Sequence, residues 1–321
     1  MRHVTIIPEI ELPGHCLAAL AAYPKLGCTG GPYKTASYWG VFDDIYCAGN
    51  EQTFQFLEDI LKEIIALFPS NYIHIGGDEV RKIRWSNCLK CQNRIKAENL
   101  KGVNELQSYF VRRIEKFVNK NGRQIMGWDE ILDEKLGLKA TIIVWRGIDK
   151  SVKAVQMNRN AIMSPANRLY FDYYQSRSQD EPLAIGGHIP LKDVYYYEPI
   201  PVECTAQETK YILGIQANVW TEYMPTFEQI EYMVYPRAIA LAEISWTPKS
   251  KKNYEDFIYR LWSNHFYLKA MNVHYAKHFL SETDFTESTI FTKLMDMPYC
   301  IKDFCRGLFY KCARKFSVLF S

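Results

Sequence analysis

The run Tyr72-Ile73-His74-Ile75-Gly76-Gly77-Asp78-Glu79 passes from a strand-like stretch through two glycines to two adjacent carboxylates. Glycines there permit close backbone approach and dihedrals closed to other residues, so the acids stand at the end of a strand on a sharp turn. Pro69 closes the segment before it. In that segment Asn50 is placed as an N-cap, and Phe54, Leu57, Leu61, Ile64, Ile65 and Phe68 recur at helical spacing. Downstream, Leu106, Tyr109, Phe110, Ile114, Phe117 and Val118 give a second apolar helix face that stops near Gly122.

Working outward, strands are expected at 4–10, 72–75, 124–126, 141–144, 161–163 and 211–215, with helical stretches between several of them. A helix over 226–242 carries Ile230, Met233, Val234 and Leu241 and accommodates Pro236, and residues 250–275 are expected to form a closing helix. The repeated strand–helix order predicts an α/β fold, a parallel sheet with helices outside it. Six strands are expected; a (β/α)8 barrel needs two more, and nothing after Trp246 resembles them. The domain reading is a partial catalytic barrel over 1–275 and a C-terminal extension over 276–321. In the extension, Ile301, Phe304, Cys305, Leu308, Phe309 and Cys312 share a helical face beside Arg306, Lys311, Arg314 and Lys315. A loosely packed extension is the simpler reading; a membrane-surface helix is the alternative.

Bulk properties narrow the function. Hydrophobic residues at 48% and charged residues at 23% describe a globular chain, and a net charge of +3 is too small for a nucleic-acid surface. The N-terminus lacks a charged-then-apolar leader pattern, so the chain as given is expected in the cytoplasm. Nine cysteines cannot all pair within the chain. Cys88-x-x-Cys91 has the spacing of half a zinc site, but no second pair matches it, so structural or free thiols are expected and no metal or cofactor. Cys28 and Cys47 flank a loop rich in glycine and aromatics, where a disulfide would fit in an exported protein.

Polar and aromatic clusters fall at the C-terminal ends of the expected strands: Glu9 to His15, Gly76 to Glu79, Gly127-Trp128-Asp129-Glu130, Trp145-Arg146-Gly147, Tyr170-Phe171-Asp172 and Asn218 to Glu222. Active sites of parallel barrels are built at that end. Adjacent acids near indoles raise one another's pKa, and a neutral acid beside a fixed anion suits glycosidic cleavage. Taken alone, Asp78-Glu79 is equally a solvated pair at a loop start, and each tryptophan equally a core residue.

In sequence order, Pro8-Glu9-Ile10-Glu11-Leu12-Pro13-Gly14-His15, His74-Ile75-Gly76-Gly77-Asp78-Glu79, Gly127-Trp128-Asp129-Glu130 and Trp220-Thr221-Glu222 resemble the signatures of family 20 glycoside hydrolases, the β-N-acetylhexosaminidases. The resemblance implies a (β/α)8 TIM-type barrel, here incomplete with its first two strands missing, and a retaining, substrate-assisted mechanism. It implies Glu79 as proton donor and Asp78 as its partner on the substrate acetamido group. Trp128, Trp145 and Trp220 would wall the sugar, Tyr170 would donate to the acetamido oxygen, Asp172 and Glu222 would bind hydroxyls, and His15 would support Glu79. The expected substrates are glycans ending in N-acetylglucosamine or N-acetylgalactosamine. Full-length members are typically exported, periplasmic or lysosomal. Two other readings stay open: an inactive, glycan-binding remnant, and a different barrel glycosidase that cuts chitin-like chains internally.

Overall fold

The computed structural model describes residues 3–133, 135–137 and 139–281. The chain divides into compact units Met1–Tyr275 and Ala276–Ser321. Of the second, only 276–281 are described, ending in a 3-10 turn at His278–Ser281. The amphipathic run expected around 301–315 lies outside the described residues. Among the described residues no helix is long and apolar enough to cross a membrane.

Five strands form one parallel sheet in sequence order: Tyr72–His74 (β1), Gln124–Trp128 (β2), Thr141–Val144 (β3), Asn160–Met163 (β4) and Ile212–Ile215 (β5). The fold is α/β of the (β/α)8 type, with these five strands among the described residues. Registers run Ile73 to Ile125, Gly127 to Ile142 and Ile142 to Ala161, so equivalent strand ends line up along one rim.

Alternation along the strands sorts the core into two layers. Ile73, Ile125, Ile142, Val144 and Ala161 face the helices and join the large cluster with Phe54, Leu57, Leu61, Phe110 and Ile114. Met126, Trp128 and Ile143 face the other side, where Trp145, Ile162 and Trp220 pack on them. Period-two alternation with both faces covered is what a barrel strand requires.

The helices follow their sequence signals. In Glu51–Leu67, Asn50 Oδ1 accepts the Gln52 amide at 3.1 Å, satisfying one free N-terminal donor. Val103–Lys120 buries Leu106, Phe110, Val111, Ile114 and Val118, and Phe110 meets Phe54 with ring centroids 4.8 Å apart.

Three expectations change. Residues 4–10 are not a regular strand: only Glu9 bridges His74, although the Ile10 amide also donates to the His74 carbonyl at 2.9 Å. Val4 and Ile6 stay exposed, and Pro8 offers no amide to a ladder. The helix expected over 226–242 is two helices, Phe227–Val234 and Arg237–Trp246, because Pro236 interrupts the bonding and Arg237 folds back on the end of the first helix. The closing helix is the shorter Tyr254–Ala270, with Asn253 as its N-cap.

Candidate active site

The turn after β1 is built on two glycines in left-handed backbone, Gly76 at φ 64° and Gly77 at φ 97°. A Cβ on Gly76 would fall inside the Glu11 carboxylate, and one on Gly77 inside the Ile131 side chain. Gln107 Nε2 donates to the Gly77 carbonyl at 2.9 Å, tying the turn to the Val103–Lys120 helix. Glu79 and His15, neither of them glycine, also hold positive φ, 49° and 47°. Such strain survives only where surrounding structure over-determines it, which is common where side chains must be aimed.

The two strained residues meet. His15 Nε2 lies 3.2 Å from Asp78 Oδ2 and 3.3 Å from Glu79 Oε2, so one imidazole faces both acids. The Asp78 hydrogen bond raises the His15 pKa against the opposing effect of burial, with both negative charges adding to the rise. His15 therefore supports Asp78 as directly as it supports Glu79.

A second layer of carboxylates lies beneath. Glu9 Oε1 sits 2.8 Å from His74 Nδ1 and accepts the Trp128 indole N–H at 3.1 Å. Burial together with the nearby Asp78 and Glu9 charges pushes the Glu11 carboxyl up to about 10, so Glu11 is neutral at pH 7. Asp129 is buried and accepts the backbone amides of Trp145 at 3.0 Å and Arg146 at 3.1 Å, and also the Arg146 guanidinium. Beside it Glu130 accepts the Trp145 indole N–H at 3.0 Å, and burial raises its carboxyl to about 7. Glu9, Asp129 and Glu130 thus each fix a wall tryptophan.

The walls are where the strand ends put them. Trp128 and Trp220 approach with centroids 5.9 Å apart, and Trp145 stacks on Tyr170 at 6.3 Å. Tyr170 is joined to Asn218 by a parallel bridge that continues the β4–β5 pairing. Burial raises the Tyr170 phenol pKa, and the Asp172 and Asp78 charges raise it further. Asp172 is buried, and desolvation raises its carboxyl to about 7. Glu222 is exposed near it, adding to that rise. Asp78 Oδ1 and Asp172 Oδ1 are buried with no hydrogen-bond partner among the described residues. An open cleft of about 410 Å³ borders Glu79, lined also by Lys82, Gln107, Glu130 and Arg146.

All the residues singled out from sequence stand on this rim. Sequence reasoning gave no role to Glu11, His74, Asp129, Glu130 or Arg146. Most sit in the quoted clusters, but which carboxylate is buried against an indole depends on contacts between strands that no linear pattern encodes. At this rim the carboxyls raised by burial are Glu11, Glu130 and Asp172.

The cysteines also depart from expectation. Cys28 and Cys47 form no disulfide; both are free thiols, and their sulfurs converge with those of Cys88 and Cys91.

Comparison with known proteins agrees with this geometry. A β-hexosaminidase of Porphyromonas gingivalis is 49% identical over 261 residues, covering 81% of this chain and 34% of that protein. The GH20 exo β-N-acetylglucosaminidase of Vibrio harveyi, solved in complex with N-acetylglucosamine, superposes with a TM-score of 0.77 at 31% identity, over 86% of this chain and 44% of that one. The β-N-acetylhexosaminidase of Bacteroides fragilis gives 0.76 at 30% identity, over 89% and 57%. The chain thus spans less than two thirds of each of these relatives. Residues 1–249 match the family model described as glycosyl hydrolase family 20, catalytic domain, and the chain belongs to that family.

Proposed function

We propose that this chain carries the machinery of a β-N-acetylhexosaminidase, releasing terminal N-acetyl-hexosamine residues by a retaining, substrate-assisted reaction. The observation that carries the reading is the convergence of Asp78 and Glu79 on His15 at the rim that also holds Trp128, Trp145, Tyr170 and Trp220.

In this reading the substrate's acetamido oxygen attacks the anomeric carbon as Glu79 gives its proton to the departing glycosidic oxygen. The unpartnered Asp78 Oδ1 accepts the acetamido N–H and stabilises the cationic oxazolinium that forms. Tyr170 donates its hydroxyl to the acetamido oxygen, which orients it for attack. Glu79, now a carboxylate, takes a proton from water as that water opens the ring intermediate. The indoles exclude solvent, which strengthens each of these electrostatic contacts. Asp172 Oδ1, buried and unpartnered, accepts a sugar hydroxyl, as does Glu222 from the exposed side. A buried acceptor left unsatisfied costs about 1–3 kcal/mol, so a hydroxyl that fills it is selected.

The test is hydrolysis of nitrophenyl N-acetyl-β-glucosaminide and of the corresponding galactosaminide. Glu79→Gln should lower kcat by roughly 10²–10⁴-fold. The matching β-glucoside, which lacks the acetamido group, should not be cleaved. Equal turnover of glucoside and glucosaminide would defeat substrate assistance. Binding of the sugar without hydrolysis would favour a glycan-binding remnant.

A further inference from the structure

Four cysteines from three separate chain segments are brought to one point. Cys28 follows the short 3-10 helix Pro24–Leu26, and Cys47 lies just before the Asn50 cap of Glu51–Leu67. Cys88 caps the helix Leu89–Ala97, and Cys91 lies within that helix. Cys47, Cys88 and Cys91 are buried and Cys28 is half-buried. Cys47 Sγ is 3.7 Å from Cys91 Sγ and 3.8 Å from Cys88 Sγ, Cys28 Sγ is 3.8 Å from Cys91 Sγ, and all four sulfurs lie within 4.8 Å of one another.

Two ordinary explanations fit poorly. A disulfide needs sulfurs at about 2.05 Å, and these separations are far longer. Apolar packing of thiols needs no common centre, yet here three chain segments converge on one point. A zinc ion with Zn–S bonds of about 2.3 Å at the centre of a tetrahedron sets its sulfurs about 3.8 Å apart. Three of the six sulfur–sulfur separations, at 3.7 and 3.8 Å, match that edge. The backbone is shaped to the cluster as well. A Cβ on Gly49 would collide with the Lys90 carbonyl and the Cys91 amide, so only glycine lets these two ligand-bearing segments approach. The Gly49 amide also hydrogen-bonds the Cys47 sulfur, a contact that holds a thiolate ligand in place.

We propose that Cys28, Cys47, Cys88 and Cys91 bind one structural zinc ion as a closed tetrathiolate site. Four protein sulfurs leave no open position, so the ion is structural and takes no part in bond cleavage. Binding displaces four thiol protons to solvent as four Zn–S bonds form, without any change of oxidation state. The ion would staple residues 28–47 to the segment that follows Glu79. Two ion pairs join the same segments, Asp43 to Arg81 at 2.8 Å and Asp44 to Arg84 at 2.7 Å, and the Trp85 indole donates to the Tyr46 carbonyl at 2.8 Å. The site is independent of the hydrolytic reading, and its test does not depend on turnover.

The full 321-residue chain, produced untagged with zinc in the medium and purified under thiol reductant, is desalted and its metal measured by mass spectrometry. One zinc per chain is expected, falling to none in Cys91→Ser and staying at one in Cys204→Ser, whose sulfur lies outside the cluster. To keep the test independent of the folding of Cys91→Ser, the native chain is also stripped and reloaded with cobalt. The strong visible bands of tetrahedral cobalt thiolate should appear and be bleached by zinc. A metal-free native chain that gives no such bands, iron in place of zinc, or an intact mass showing disulfides among these cysteines would each overturn the proposal.

Discussion

Gly76 and Gly122 both hold left-handed backbone, at φ 64° and 74°, but their surroundings differ. At Gly122 a Cβ meets nothing within 4 Å, whereas at Gly76 it enters the Glu11 carboxylate. Alanine at either site bears the left-handed penalty of about 1–2 kcal/mol. Gly122→Ala should therefore lose about that much stability and keep full activity. Gly76→Ala should lose more, and its kcat should collapse, because displacing Glu11 moves the neutral acid beside Asp78. Chemical denaturation and steady-state kinetics on both variants check this; equal activities would refute the role given to the Gly76 turn. At this scale much of the site was legible. Adjacent acids after two glycines at a strand end, with indoles at the ends of other strands, mark Asp78, Glu79, Trp128, Trp145 and Trp220 on one rim. Glu130 was not legible as the anchor of the Trp145 indole, nor Glu11 as a neutral acid, because burial of a carboxylate is decided by neighbouring strands. The cysteine cluster was hidden for the same reason: only Cys88 and Cys91 are close in sequence.

The elements were read from periodicity, and strand positions came out within two residues wherever a run was bounded by Gly, Pro or Asn. The misreadings fall at prolines. Pro8 keeps residues 4–10 from forming a full ladder, and Pro236 divides one expected helix into two. That division places Arg237, which is fully buried, at the first turn of the second helix. Its guanidinium donates to the carbonyls of Met233, Phe171, Tyr173 and Ile189, and lies 4.7 Å over the Phe171 ring. It thus joins the end of one helix to the loop that carries Asp172. In Arg237→Met these carbonyls lose their donor in a dry environment, and one that finds no other partner costs about 1–3 kcal/mol. The expected loss is about 3–5 kcal/mol, the range for breaking a buried charged network. Urea denaturation measures it, and a change below about 1 kcal/mol would show that the loop does not need this donor. Folded Arg237→Met should show a raised KM in the proposed hydrolysis, since Asp172 is set by the same loop.

For the whole molecule, three acids raised by burial point one way in pH. Burial raises Glu130 and Asp172 to about 7 and Glu11 to about 10, from ordinary values of 4.5, 3.8 and 4.5. Between the unfolded and folded values the native state holds protons that the unfolded chain has released, so stability falls as pH rises. All three acids act from about pH 4 to 7, and Glu11 alone acts from there to about pH 10. His15 adds to the same trend, because its raised pKa gives stability that is complete below its unfolded value and lost as pH climbs through the folded one. Glu9 opposes them: burial, the largest single influence, is outweighed by the His74, Glu11 and Trp128 hydrogen bonds and the His74 charge together, so its pKa is lowered and its contribution is lost as pH falls. Glu51 is also lowered, by Arg113 and Arg94, but it is exposed and counts for little. The melting temperature should therefore peak near about pH 5 and decline through pH 8. Glu130→Gln should flatten the decline below about pH 7 only, and Glu11→Gln the decline on both sides of it, because each removes one proton from the native-state excess. A melting temperature that is level or rising from pH 5 to 8 would mean that these carboxylates are ionised in the fold, with water reaching a layer the packing of Trp128 and Trp145 otherwise keeps dry.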